Sequence, residues 1–108
     1  MNTILQDGKH CYVTGDTEGL HKHHCLNGPN RRLAEEDGLW VWLRWDRHIA
    51  NSPWDTPHNN RKVDLFYKKL AQRTYEETHT REEWMARYGR NYLDWEAQDE
   101  VNDTESDD

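Results

Sequence analysis

Three of the chain's seven histidines fall within four positions, His21, His23 and His24, in the stretch "LHKHHC". The stretch reads as a short strand, and successive side chains on a strand point to opposite faces. His21 and His23 then share one face and His24 takes the other. A neutral imidazole is a good ligand for a divalent ion and a good general base near neutral pH. One of the adjacent pair can therefore bind a metal while the other does different work. The rest of the chain gives this pair added weight, because apolar residues make up only 33% of 108 and charged residues 32%. That is a thin core for a single domain of this length. A metal or a partner would supplement it, and so would the six Trp and five Tyr, which bury large areas each.

Charge divides the chain in two. Of the formal net charge of -7, positions 94–108 carry eight acidic residues and no basic one. Residues 1–93 hold 13 acidic and 14 basic residues, a net of +1. The sequence thus predicts one domain over 1–93 and a solvated, disordered acidic tail over 94–108. The tail is read as a solubility device, or as a competitor with DNA for the basic surface. The chain has two cysteines, Cys11 and Cys25, no apolar run of membrane-span length and no visible signal peptide. These features favour a cytoplasmic protein with free thiols and no membrane partner.

Residues 1–9 read as a loose arm, and Cys11–Thr14 as a short strand before a Gly-rich turn. After the histidine strand, Asn30 is placed to cap a short helix over Arg31–Asp37 that ends at Gly38. The aromatic and β-branched run "LWVWLRW" from Leu39 is the clearest strand. Asp46 is placed to cap a short helix through "RHIAN". Pro53 and Pro57 interrupt the next segment as a loop. Val63, Phe66, Tyr67, Leu70 and Thr74 recur at helical spacing, predicting an amphipathic helix over Lys62–Glu76. Thr80 with Glu83 forms a capping-box pattern, and Gly89 closes a last helix.

Strand with His-His, loop, strand, then a short helix with a further His is the plan of a ββα-metal unit. With "LHKHH" at 20–24, "NRR…EEDG" at 30–38, "LWVWL" at 39–43, "DRH" at 46–48 and "PHNN" at 57–60, the chain resembles the HNH (His-Me finger) endonucleases. Among them it is most like small phage-encoded HNH proteins related to the phage recombination-enhancement, RecA-dependent nucleases. The likeness covers roughly residues 10–93, including "EETHTREEWMARYGRNYL" at 76–93. It implies an α+β fold, a ββα-metal unit over about 20–52 with two following C-terminal helices, and a phage or prophage origin.

The resemblance also implies roles. His23 is then a metal ligand and His24 the general base, with His48 a second ligand and His58 a third. Asn30 stands in for the motif asparagine that steadies the loop behind His24. Arg31, Arg32, Arg61 and Lys62, with Lys68, Lys69, Arg87 and Arg90, are candidates for phosphate contact. The cofactor is one divalent ion, Mg, Mn, Zn or Ni. Imidazoles suit Zn²⁺ and Ni²⁺, whereas Mg²⁺ prefers more oxygen ligands. His21 is a plain polar residue or a support for a ligand, and His10 and His79 are surface residues.

Two departures bear on this reading. Many HNH proteins hold a structural zinc in two Cys-x-x-Cys pairs. Here those positions read Cys11 and Thr14, then Arg44 and Arg47, so a four-thiolate zinc is excluded. Trp40, Trp42, Trp45 and Trp54 are expected to supply packing instead, and the Trp cluster at 40–45 is assigned to the core rather than to base stacking. Ten residues and two prolines also separate His48 from His58, a long interval for a ligand pair. Two functions follow. One is a metal-dependent DNA endonuclease or nickase, possible partners being a recombinase filament or a host protein. The other is a catalytically degenerate HNH-fold protein that inhibits a host nuclease or defence complex, its acidic tail mimicking nucleic acid.

Overall fold

The computed structural model describes residues 2–93. Met1 and the acidic segment 94–108, with the expectation of disorder placed on it, lie outside the described residues. The chain folds as a small α+β domain. Strand β1 (Leu20–His24) pairs antiparallel with β2 (Trp40–Arg44) in a two-stranded sheet, and α1 (Asn30–Asp37) lies between them in sequence. Helices α2 (Arg61–Tyr75) and α3 (Arg81–Tyr88) follow. Register sets His23 opposite Val41 and His21 opposite Leu43, while His24 faces Trp40 and Lys22 faces Trp42. The alternation expected for the histidines therefore holds. His23 lies on the core face with the fully buried Val41 and Leu43, itself 2% exposed.

Several local expectations are corrected. Cys11–Thr14 is a turn rather than a strand, closed by the Gly15 amide on the Cys11 carbonyl and by the Thr14 amide on Cys11 Sγ. The arm is not loose over its described part. It lies along the outer edge of β2, where the Ile4 amide donates to the Gly38 carbonyl, Gln6 Oε1 accepts from the Trp42 amide and the Tyr12 amide donates to the Trp42 carbonyl. An uncovered strand edge leaves backbone donors and acceptors unpaired, and the arm supplies their partners. Gly38 makes the approach possible. It sits at φ 72°, and a Cβ there would stand 2.7 Å from the Asn2 carbonyl oxygen.

Asn30 does not cap α1. Pro29 already has helical backbone angles and stands at the cap, so Asn30 becomes the first helical residue. Its Nδ2 donates instead to the Tyr88 carbonyl, tying α1 to α3. The helix expected through Asp46–Asn51 is a single 3-10 turn, Trp45–Arg47. The Asp46 carboxylate turns to Arg44 Nε at 3.2 Å, and Ser52 Oγ bonds the Asp46 carbonyl. A segment this short, stopped by Pro53, gains too few hydrogen bonds to offset helix nucleation.

Helix α2 starts at Asn60, whose side chain accepts from the Lys62 and Val63 amides. It buries Tyr67, Ala71, Gln72 and Tyr75 and leaves Phe66 exposed. Helix α3 keeps the expected capping box at Thr80 and Glu83 and ends at Gly89 in the left-handed region. The core is largely aromatic: Trp84 is fully buried and packs against Tyr75 and Tyr88, and Tyr67 and Tyr92 are buried as well. The expected Trp cluster divides. Trp40 is buried and Trp42 half-buried, but Trp45 and Trp54 are exposed, the latter under the Arg47 guanidinium. Both cysteines are buried and unpaired. Among the described residues, no helix is long and apolar enough to cross a membrane.

Candidate metal centre

His23, His48 and His58 converge. One nitrogen from each lies within 4.8 Å of the other two. β1 supplies His23, the turn after β2 supplies His48, and the loop before α2 supplies His58. The long interval between the last two is folded around buried Thr56. Thr56 Oγ1 donates to the Ile49 carbonyl and accepts from the His58 amide. Asn59 closes the loop, accepting from the Thr56 amide and donating to the Ala50 and Trp54 carbonyls. These bonds turn the chain back and set His58 Nε2 3.1 Å from His48 Nε2. Two nitrogens bound to one tetrahedral zinc stand roughly 3.3 Å apart, so this pair already has the spacing of shared ligands.

The chemistry of the donors fits a divalent ion. His23 is buried, yet its Nε2 has no hydrogen-bond partner. Such an atom is costly to leave unpaired, and a metal ion would satisfy it. Burial, helped by the neighbouring His48 and His58, pushes His23 down to about 3. Burial, with His58 and His21, pushes His48 down to about 4. Both are therefore neutral at pH 7 and offer lone pairs without competition from a proton. His48 Nδ1 lies 3.1 Å from His21 Nδ1. That bond turns His48 Nε2 toward His58, a support from behind of the kind that orients metal ligands. The Tyr67 ring packs 5.3 Å from the His23 ring and walls the cluster on the α2 side.

His24 reaches the same cleft, of about 270 Å³, beside Arg31 and the three clustered histidines. Its Nε2 lies 2.6 Å from Glu35 Oε1, and Arg31 Nε approaches Nδ1 at 3.4 Å. Lys22 Nζ stands 3.3 Å from each Glu35 oxygen. Asn30 is on α1 but bonds Tyr88, not the loop behind His24. Of the eight candidate phosphate contacts, Arg31 lines the cleft; the other seven lie outside its lining, Arg32, Arg61 and Lys62 among them exposed.

Sequence reasoning passed over Glu35 and the Thr56–Asn59 fastening, and it offered His21 as a support for a ligand without naming His48 as its partner. A signal for Glu35 was present. Arg31 and Glu35 stand four apart on one helix face, directly after the strand that carries His24. Comparison with protein-family models, with curated proteins and with solved structures finds no match for the chain.

Proposed function

We propose that this chain is a metal-dependent phosphodiesterase of the HNH, ββα-metal type that hydrolyses DNA. The observation that carries the reading is the convergence of His23, His48 and His58 around the unpaired Nε2 of a buried histidine, with His24 at the other side of the same cleft. His23, His48 and His58 would hold one divalent ion. When bound, such an ion supplies Lewis acidity to a phosphate oxygen and to the leaving oxygen. His24 takes a proton from the attacking water. Arg31, exposed at the cleft with a planar fork of donors, binds phosphate oxygens and orients the strand. Three imidazoles and no carboxylate in the cluster favour Zn²⁺ or Ni²⁺ over Mg²⁺ or Mn²⁺.

A plasmid-nicking assay tests the reading. After EDTA treatment, nicking should return with at least one of Zn²⁺, Ni²⁺, Mn²⁺ or Mg²⁺, and His23→Ala should weaken both metal uptake and cleavage. A protein that binds zinc through these histidines but cuts no DNA with any of the four ions would be a binding protein on this fold.

A further inference from the structure

We infer that Glu35 is the positioning residue of His24, holding its imidazole as the Nε2–H tautomer so that Nδ1 is the proton-accepting atom in the cleft. The catalytic consequence rests on the phosphodiesterase reading; the tautomer rests on geometry alone.

Two neighbours of opposite character fix it. A carboxylate only accepts hydrogen bonds and an arginine only donates them. Glu35 Oε1 lies 2.6 Å from His24 Nε2, a short contact typical of an ionised acceptor. The hydrogen in that contact therefore belongs to Nε2. Arg31 Nε stands 3.4 Å from Nδ1, so Nδ1 must present a lone pair. Both neighbours select the same form of a neutral imidazole, which carries only one N–H.

Glu35 is itself held. Lys22 Nζ contacts both carboxylate oxygens at 3.3 Å and sits 4.1 Å over the Trp40 ring. Lys22 and His24 lie two apart on one face of β1, and α1 sets Glu35 over both. The Arg31 contact is long and weak by comparison. An incoming phosphate, offering two oxygens to the guanidinium, draws Arg31 away and clears Nδ1 for water. In the hydrolytic step the water oxygen bonds phosphorus and the water proton passes to Nδ1. The P–O ester bond breaks, and its electron pair leaves with the departing oxygen. Glu35 stays ionised and faces the imidazolium that forms.

The test compares the full chain with Glu35→Gln and Glu35→Ala. Gln keeps the volume of Glu but can donate as readily as accept, so a purely space-filling role would survive it. Imidazole nitrogen NMR of the zinc-loaded and metal-free protein reads the His24 tautomer directly. Expected is a single Nε2–H form in the parent and loss of that single form in both variants, with zinc affinity unchanged. With supercoiled plasmid, kcat should fall at least about tenfold in both variants and by no more than the roughly 10²–10⁴ that a general base contributes, while KM stays near the parent value. A parent in the Nδ1–H form, a Glu35→Gln protein with the parent's tautomer and kcat, or a parallel loss of zinc affinity would each overturn the inference. A parent that cuts no DNA but shows the Glu35-dependent tautomer would remove the phosphodiesterase reading and leave the orientation of His24 by Glu35 standing.

Discussion

At the junction of α1 and α3, polar side chains find their partners inside the protein. Asp37 accepts from Arg87 Nε and from the Tyr88 hydroxyl, both at 2.5 Å. Asn30 donates to the Tyr88 carbonyl, and Trp84 Nε1 to the Arg90 carbonyl. In the histidine cleft the pattern is reversed. His23 Nε2 is buried without a partner, and His48 and His58 face each other with like atoms. A region whose polar atoms satisfy one another stabilises the fold. A buried polar atom left unpaired needs an explanation, and where three histidines converge on it a metal ion is one that fits their chemistry. Substitutions should therefore separate the two, costing function in the cleft and stability at the junction.

The largest effects should fall on opposite measurements. His24→Ala should lower the plasmid-nicking rate roughly 10²- to 10⁴-fold, with zinc affinity and the thermal midpoint near those of the parent. Equal rates for the two proteins would remove His24 as the base. Trp84→Ala should do the reverse. It empties a fully buried site and should cost about 3–5 kcal/mol in urea unfolding, a large share of the stability of a small domain. Its folded fraction should still bind zinc. Loss of zinc binding in proportion to folded protein would be expected; loss beyond it would join the two regions.

The cleft should affect stability in two ways, through protons and through metal. In EDTA-treated protein, His23 has a folded value of about 3 against an ordinary value near 6.5. Above that ordinary value neither state holds the proton and there is no effect. Below it the unfolded chain takes up a proton that the folded one refuses. Stability should then fall by about 1.4 kcal/mol per pH unit on this group's account, down to about pH 3. At pH 7, zinc at about 100 times its Kd should add about 2.7 kcal/mol, and His23→Ala should abolish that gain. A stability curve flat from pH 7 to 4 in the metal-free protein would mean His23 is not held neutral.

The two regions also differed in how far they could be read from sequence. Alternation on β1 put His23 and His24 on opposite faces, since a strand leaves only two choices; which face turns inward came from the fold. The capping box at Thr80 and Glu83 was legible because it is a local pattern with its own geometry. Harder to read was whatever depended on distant segments. The 3-10 turn at Trp45–Arg47 follows from Asp46 meeting Arg44 rather than its own helix. The route from His48 to His58 follows from the burial of Thr56, which no periodicity announces. Trp45 and Trp54 look like core residues in composition, yet the domain buries Trp40, Trp84 and four tyrosines and leaves both exposed.

The smallest effect expected is at the edge of the junction, in the capping box. Thr80 Oγ1 accepts from the Glu83 amide at 3.1 Å, and Glu83 Oε1 accepts from the Thr80 amide at 2.8 Å. The backbone and side chain of Thr80 hold the Glu83 carboxyl below its ordinary range. By sign, whatever this carboxylate adds to the fold is present above its unfolded value and is lost as pH falls through the lower folded one. Thr80→Ala removes one of the two bonds and leaves a first-turn amide to solvent. The cost should be about 1 kcal/mol, read as a shift in the urea midpoint with an unchanged slope. Helix α3 carries Trp84 and Tyr88 into the core and Arg87 onto Asp37, so a frayed first turn would be felt there before anywhere else. Zinc affinity and the cleavage rate should not move. If Thr80→Ala weakened zinc binding in fully folded protein, α3 would be part of the metal site's frame, and the division between a self-satisfied junction and an open cleft would fail at its weakest point.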